Sequence, residues 1–189
     1  MRATERQIAP HLEDIHLGHR MRYLFARDTV TGNVLDAGCG VGYGAKMMHD
    51  AGAHVTAIDL EPEAIDYAIE HYPGPHYQVG DVTESREHPF DWVVCFEVIE
   101  HLQDPVAALT AFRSAKRLIV STPNENKFPF NPESYRLDEF PHLRHYTPQE
   151  LDLLLSDCGW EVQKRYTQLG KRSMVTPGTD GMFLVYVCR

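Results

Sequence analysis

Between Val34 and Gly44 the chain reads VLDAGCGVGYG, with glycines at 38, 40, 42 and 44 directly after an apolar run. Glycine enters the left-handed backbone region without strain, and it leaves open the space that a Cβ would fill. Glycines at alternate positions therefore mark a tight strand-to-helix turn with something lying close against it. In an open parallel sheet this first turn sits where the strand order reverses, which is where ligands bind.

Outward from that turn the chain alternates. NVLDA (33–37) is a short strand, and a helix over 42–51 is ended by Gly52. HVTAID (54–59) is a second strand, followed by a helix from Pro62, where a missing N–H costs nothing, to Tyr72. HYQVGD (76–81) and DWVVCFEV (91–98) both read as buried parallel strands. Asp104 is a good N-cap for a helix opening at Pro105, and KRLIVST (116–122) is a fifth strand. Upstream, residues about 4–29 carry a helical apolar spacing within an N-terminal helical segment, 1–30.

The rhythm breaks at the C-terminal end. After a helix over 148–158, GWEVQKRYTQLG (159–170) and GMFLVYVCR (181–189) are strands without a helix between them, so they run antiparallel. The predicted fold is an α/β, Rossmann-like, doubly wound seven-stranded sheet, parallel with a C-terminal antiparallel hairpin, built as one domain over 1–189. Residues 123–147 hold four prolines, several aromatics and two histidines; a loop of that length reads as a lid or substrate-binding loop.

Composition narrows the partners. At 43% hydrophobic and 24% charged the chain reads as globular, and no apolar run approaches the roughly 20 residues of a membrane helix. A net charge of −9 repels phosphate backbones and anionic lipid, which disfavours nucleic acid and membranes. Four scattered cysteines without a C-x-x-C pair, and an N-terminus lacking an apolar leader, suit a reduced, cytoplasmic setting.

Gly40 to Ala45 satisfies G-x-G-x-x-A, the dinucleotide fingerprint. The acidic residues argue for a different ligand. Asp36 sits just before the glycines, where a pyrophosphate is repelled and an ammonium group welcome. Asp59 ends the second strand 23 residues on, placed for a bidentate bond to ribose hydroxyls. Asp81 ends the third strand, where it can accept from an exocyclic adenine amine. A cationic, phosphate-free adenosyl ligand fits this set.

Across VLDAGCGVGYG, AIDLEPEAIDYA, VGDV, FDWVVCFEVIEHL, RLIVSTP and RHYTPQEL the chain resembles class I S-adenosylmethionine-dependent methyltransferases, in a branch acting on sugars, quinone precursors and other small molecules. The resemblance implies S-adenosylmethionine as cofactor. It implies that Gly38, Gly40 and Gly42 cradle the methionine part and Asp59 holds the ribose. Leu60 would flank the adenine, Asp81 and the Val82 amide would read its edge, and Glu97 would stand near the methionine amine. Arg20 in HRMRY resembles an arginine that relatives place on the cofactor carboxylate, with Arg22 competing. The Pro-Gly-Gly turn common before the fifth strand in relatives is replaced here by FRSAKRLIV.

Methyl transfer from a sulfonium needs alignment of the acceptor, exclusion of water and, for a hydroxyl, a base. His101 and His145 are the catalytic candidates, with Tyr135, Arg136, Phe140, His142 and Tyr146 as candidates for the acceptor pocket. The expected reaction is O-methylation of a small molecule or sugar, by a monomer or homodimer and without a metal. Two alternatives stand beside it. Glu97-x-x-Glu100-His101 is similar to the string of metal-dependent methyltransferases that modify the 2′-hydroxyl at small-RNA 3′ ends. A catalytically inactive partner protein of the same fold is the other.

Overall fold

The computed structural model describes residues 15–84, 89–136 and 141–189. The first part of the expected N-terminal helix, up to residue 14, and Phe140 lie outside the described residues. In chain order the elements are α1 (Leu17–Arg27), β1 (Asn33–Ala37), α2 (Tyr43–Asp50), β2 (His54–Asp59), α3 (Pro62–His71), β3 (His76–Val79) and β4 (Trp92–Phe96). They continue with α4 (Pro105–Ala111), β5 (Arg117–Pro123), α5 (Pro148–Asp157), β6 (Val162–Gln168), β7 (Val175–Pro177) and β8 (Phe183–Cys188).

One sheet runs β3-β2-β1-β4-β5-β8-β6-β7. The first five in that order pair in parallel; β8 pairs antiparallel with β5 and β6, and β7 antiparallel with β6. The sheet thus has eight strands rather than seven. The extra one, β7, is a three-residue Val-Thr-Pro edge, too short to carry an alternation pattern. A second correction concerns β3, which was expected to be buried. It is the opposite edge strand and is largely exposed, because it has a neighbour on one side only.

The buried strands feed two cores. Val34, Val55, Val94 and Ile119 face Tyr23, Met48 and Ile65 from α1, α2 and α3. Their chain neighbours Leu35, Val93, Leu118 and Val120 face Leu109, Leu151 and Trp160 on the other side. That period-2 division of apolar strands is what a sheet covered on both faces requires. Local chemistry fixes the helix starts. The Asp104 carboxylate accepts from the Ala107 N–H at 3.0 Å, and Thr147 and Glu150 form a reciprocal capping box ahead of Pro148. No described helix is long and apolar enough to cross a membrane.

The strand order reverses between β1 and β4, so the ends of β1, β2, β3 and β4 converge there. Helix α1 closes over this crevice through Tyr23, whose ring lies where a Cβ on Gly44 would stand, 2.1 Å from the nearest ring atom. Gly44→Ala gains about 1 kcal/mol of helix propensity but overpacks that contact, which costs about 1–3 kcal/mol. So close an approach puts the cost at the upper end of that range, and the expected outcome is a net destabilisation of about 1–2 kcal/mol in urea denaturation. A neutral or stabilised variant would show that Tyr23 does not depend on this approach.

Candidate active site

A cavity of about 770 Å³ opens at the reversal point. That volume is in the usual range for a small-molecule site. Part of the lining is backbone and acid, contributed by Gly38 to Val41 after β1, Asp59 and Leu60 at the end of β2, Gly80 to Thr83 after β3, and Glu97 after β4. Another part of the lining is aromatic and basic. It is made by Phe128, Tyr135 and His142 from the loop after β5, with Phe183, Lys171 and the α1 side chains His19, Arg22 and Tyr23.

The glycines serve different ends. A Cβ on Gly38 would strike Val98 at 2.4 Å, while a Cβ on Gly40 would meet nothing within 4 Å. Gly40, with φ +54°, is therefore the glycine whose missing side chain leaves space at the cavity wall. Gly42 departs from expectation. It is not among the walls, and its φ of +88° and missing Cβ instead let α2 pack on Ala68 and Tyr77, 2.6 and 2.9 Å from where that Cβ would be.

Asp59 accepts from the Gly40 N–H at 2.8 Å and the Glu61 N–H at 3.1 Å, so its carboxylate ties the glycine turn to the start of α3. Asp81 accepts from the Thr83 N–H and hydroxyl, both at 2.8 Å. Leu60 faces the cavity 58% exposed. Glu97 holds a left-handed φ of +54°, which a non-glycine residue adopts only under constraint. The constraint is visible: its N–H donates to the Ser121 carbonyl at 3.1 Å, and its carboxylate accepts from the Ser121 hydroxyl at 2.6 Å. Arg22 stands 3.8 Å from its other oxygen.

Two expected contacts lie elsewhere. Arg20 is not among the cavity walls, whereas Arg22 is. Residues two apart on a helix point in nearly opposite directions, and Arg22 is on the buried face of α1 with Tyr23 and Ala26. Asp36 is also absent from the walls, 0% exposed beneath the turn, where it accepts from the Tyr23 hydroxyl at 3.1 Å. Its Oδ2 finds no hydrogen-bond partner among the described residues. Burial pushes this carboxyl up to about 7, the Tyr23 hydroxyl pulling down and the Asp59 charge pushing up. His19, not among the expected site residues, also lines the cavity; it lies three residues before Arg22 and so on the same face of α1. Burial, assisted by the Arg22 charge, holds His19 down at about 3, a neutral imidazole.

The histidines are rearranged as well. His101 lines the cavity, but His145 is buried behind it, and His142 occupies the wall instead. His142 stacks on Tyr135 (4.2 Å, 11°) and stands edge-on to His101 (4.5 Å, 87°). Glu97 does not join Glu100 and His101; His142 does, the three offering one side-chain atom each within 4.8 Å of one another. Arg136 and Tyr146 are not cavity walls.

The profile of a family described as a methyltransferase domain matches residues 11–165. The ubiquinone biosynthesis O-methyltransferase of Xylella fastidiosa (strain M23) is 37% identical over 190 aligned positions, covering 87% of this chain and 77% of that protein. Among solved structures, a Thermotoga maritima S-adenosylmethionine-dependent methyltransferase, described as a possible histamine N-methyltransferase, superposes with a TM-score of 0.73. It is 22% identical and covers 91% of this chain and 90% of its own. The CcbJ methyltransferase of Streptomyces caelestis gives 0.71 at 17% identity, with coverages of 90% and 94%. The chain belongs to the methyltransferase-domain family and is an S-adenosylmethionine-dependent methyltransferase.

The buried carboxyl of Asp36 makes a pH prediction. Its proton is held to about 7 in the folded chain but only to 3.8 at its ordinary value, so across that window the folded state binds more protons. Stability from this group is full below pH 4 and lost as pH rises toward 7. His19 acts in the opposite sense below 6.5, so the informative quantity is the difference between wild type and Asp36→Asn, in which His19 cancels. From pH 5 to pH 8, Asp36→Asn is expected to gain on the order of 2–3 kcal/mol over wild type in urea denaturation. Parallel curves for the two proteins would rule out the buried carboxyl as a source.

Proposed function

We propose that this methyltransferase transfers the methyl group to a hydroxyl oxygen of a small, ring-bearing acceptor. The observation that carries this reading is one cavity lined both by acids and glycine-turn backbone and by aromatic and histidine rings. Bound S-adenosylmethionine supplies an electrophilic methyl group on a sulfonium.

The acidic wall suits that cofactor and not a dinucleotide. Asp59, Asp81 and Glu97 repel phosphate but attract an ammonium and a sulfonium, and they accept from hydroxyls and amines. In this reading Gly38 and Gly40 give the methionine portion its backbone bed, and Asp59 takes the ribose hydroxyls. Leu60 covers the adenine, whose polar edge goes to Asp81 and the Val82 amide, and Glu97 receives the ammonium. Arg22, rather than Arg20, takes the cofactor carboxylate. Asp36 acts through Tyr23, and Gly42 through packing.

The acceptor then lies against Phe128, Tyr135, His101 and His142, whose rings favour a flat or cyclic partner such as a phenol or a sugar. The relative named for ubiquinone biosynthesis supports oxygen as the receiving atom. A cytoplasmic setting is in keeping with four buried cysteines that form no disulfide, and the enzyme is read as a monomer or homodimer.

Isothermal titration with S-adenosylhomocysteine is expected to give micromolar binding, about −8 kcal/mol, and no response to NAD. Leu60→Ser is expected to weaken that binding about 5- to 10-fold by removing apolar cover. Because Leu60 is 58% exposed, stability should change by less than about 0.5 kcal/mol. A folded protein that ignores S-adenosylhomocysteine would sink the assignment of this cavity.

A further inference from the structure

A chain of hydrogen bonds behind the aromatic wall fixes where the protons sit. The Phe128 carbonyl can only accept, so its 2.6 Å contact with His145 Nδ1 requires the hydrogen to be on that nitrogen. In the neutral ring Nε2 is then an acceptor, and the Tyr135 hydroxyl approaches it at 3.4 Å. His142 Nδ1 lies 2.7 Å from the same Nε2, so the hydrogen of that bond belongs to His142. A neutral His142 therefore carries its lone pair on Nε2. The Pro141 carbonyl, 3.2 Å from His101 Nδ1, imposes the same tautomer on His101.

Beside these rings lies Glu100, 0% exposed, with Glu100, His101 and His142 each bringing one atom within 4.8 Å of the other two. Each of the three offers an atom that can share positive charge entering among them. A methyl transfer to a hydroxyl releases one proton per turnover, next to this wall.

We propose that His142 is the catalytic proton acceptor of the reaction and that His145 is its positioning residue, holding it in the Nδ1–H tautomer. The inference rests on the reading of this cavity as a hydroxyl-methylating site. As the acceptor O–H bond breaks, the proton passes to His142 Nε2 and its electron pair stays on oxygen, forming the new O–CH₃ bond. The pair of the broken C–S bond returns to sulfur. The positive charge that began on the sulfonium ends on the His142 imidazolium, which later gives its proton to water.

The surroundings suit that charge. Glu100 faces His142 from the turn after β4, together with His101, while Tyr135 and His145 hold it from the loop. Glu125 lies 4.0 Å from His145 Nδ1, and Lys171 is farther off, over the Phe128 ring. Burial keeps His145 below the ordinary imidazole range, against the pull of its Phe128 bond, so its Nε2 remains an acceptor when His142 becomes charged.

The test uses the full chain labelled with ¹⁵N-histidine, saturated with S-adenosylhomocysteine, and read by long-range ¹⁵N–¹H correlation. Both His142 and His145 are expected as Nδ1–H tautomers. His145→Leu should release His142 toward the Nε2–H form. His145→Gln should retain Nδ1–H, because an amide can donate to Phe128 and accept from His142 at once. His142 protonated on Nε2 in the wild type would overturn the proposal. With catechol and 3,4-dihydroxybenzoate as probe acceptors, His142→Gln should lower kcat at least about 100-fold. Acceptor KM and S-adenosylhomocysteine affinity should stay within about threefold; His145→Leu should be slow and His145→Gln nearly normal. An active His142→Gln, or turnover that appears only with added Mn²⁺ or Zn²⁺ and needs His142, would also overturn it. The ring-nitrogen measurement requires no acceptor, so it decides the matter if neither probe is methylated. Loss of S-adenosylhomocysteine binding would indict the cavity assignment instead.

Discussion

Tyr23 is the contact on which the site depends. Its ring fills the space left by Gly44 and packs edge-on against Tyr43 at 5.4 Å and Phe96 at 5.1 Å. Its hydroxyl ends on the buried Asp36 carboxyl group. One side chain thus joins α1 to the glycine turn, to α2 and to the end of β4. Without that joint the glycine turn and the end of β4 would lose their contact with the middle of α1. The same packing keeps Asp36 out of water, which is why its carboxyl keeps a proton toward neutral pH.

Charge is arranged to match. The acids of the cavity wall are held by short backbone bonds before any ligand arrives: Asp59 by Gly40 and Glu61, Asp81 by Thr83. Fixed acceptors of this kind cost no rearrangement when a ligand with hydroxyls and positive charge is bound. The strained backbone of Glu97 belongs to the same design. Left-handed φ costs on the order of 1–2 kcal/mol for an L-residue. It is held there by two bonds to Ser121, so the carboxylate is aimed by β5 as much as by β4.

Much of this was legible in the sequence, and the failures have physical causes. The strand–helix alternation, the caps at Asp104 and Thr147 and the acids at the end of β2 and just beyond β3 leave residue-level marks. The glycine run announced close approach, but it could not say to what: Gly38 to Val98, Gly42 to Ala68 and Tyr77, Gly44 to Tyr23, and Gly40 to open space. Edge position is not written in four residues, so β3 was read as buried. Arg20 and Arg22 differ by two positions, and only the packed face of α1 separates them. His142 and His145 sit in a loop without periodicity, where nothing local tells which ring faces inward.

The antiparallel hairpin, foreign to dinucleotide-binding sheets, has a reason beyond closing the core. Gln168, buried at the end of β6, accepts from Arg22 at 2.6 Å and donates to the Gly18 carbonyl at 3.0 Å and the Ser173 carbonyl at 2.8 Å. Phe183, opening β8, lies under the Arg22 guanidinium at 4.8 Å. A buried guanidinium needs such partners, because its charge cannot be left to the low-dielectric interior. The last strands therefore hold Arg22 in the cavity wall, and they fasten the start of α1 to the sheet through the same glutamine. A chain ending after β5 would keep the glycine turn and the acids but lose the residues that orient Arg22. The hairpin completes the wall that the first half of the fold begins.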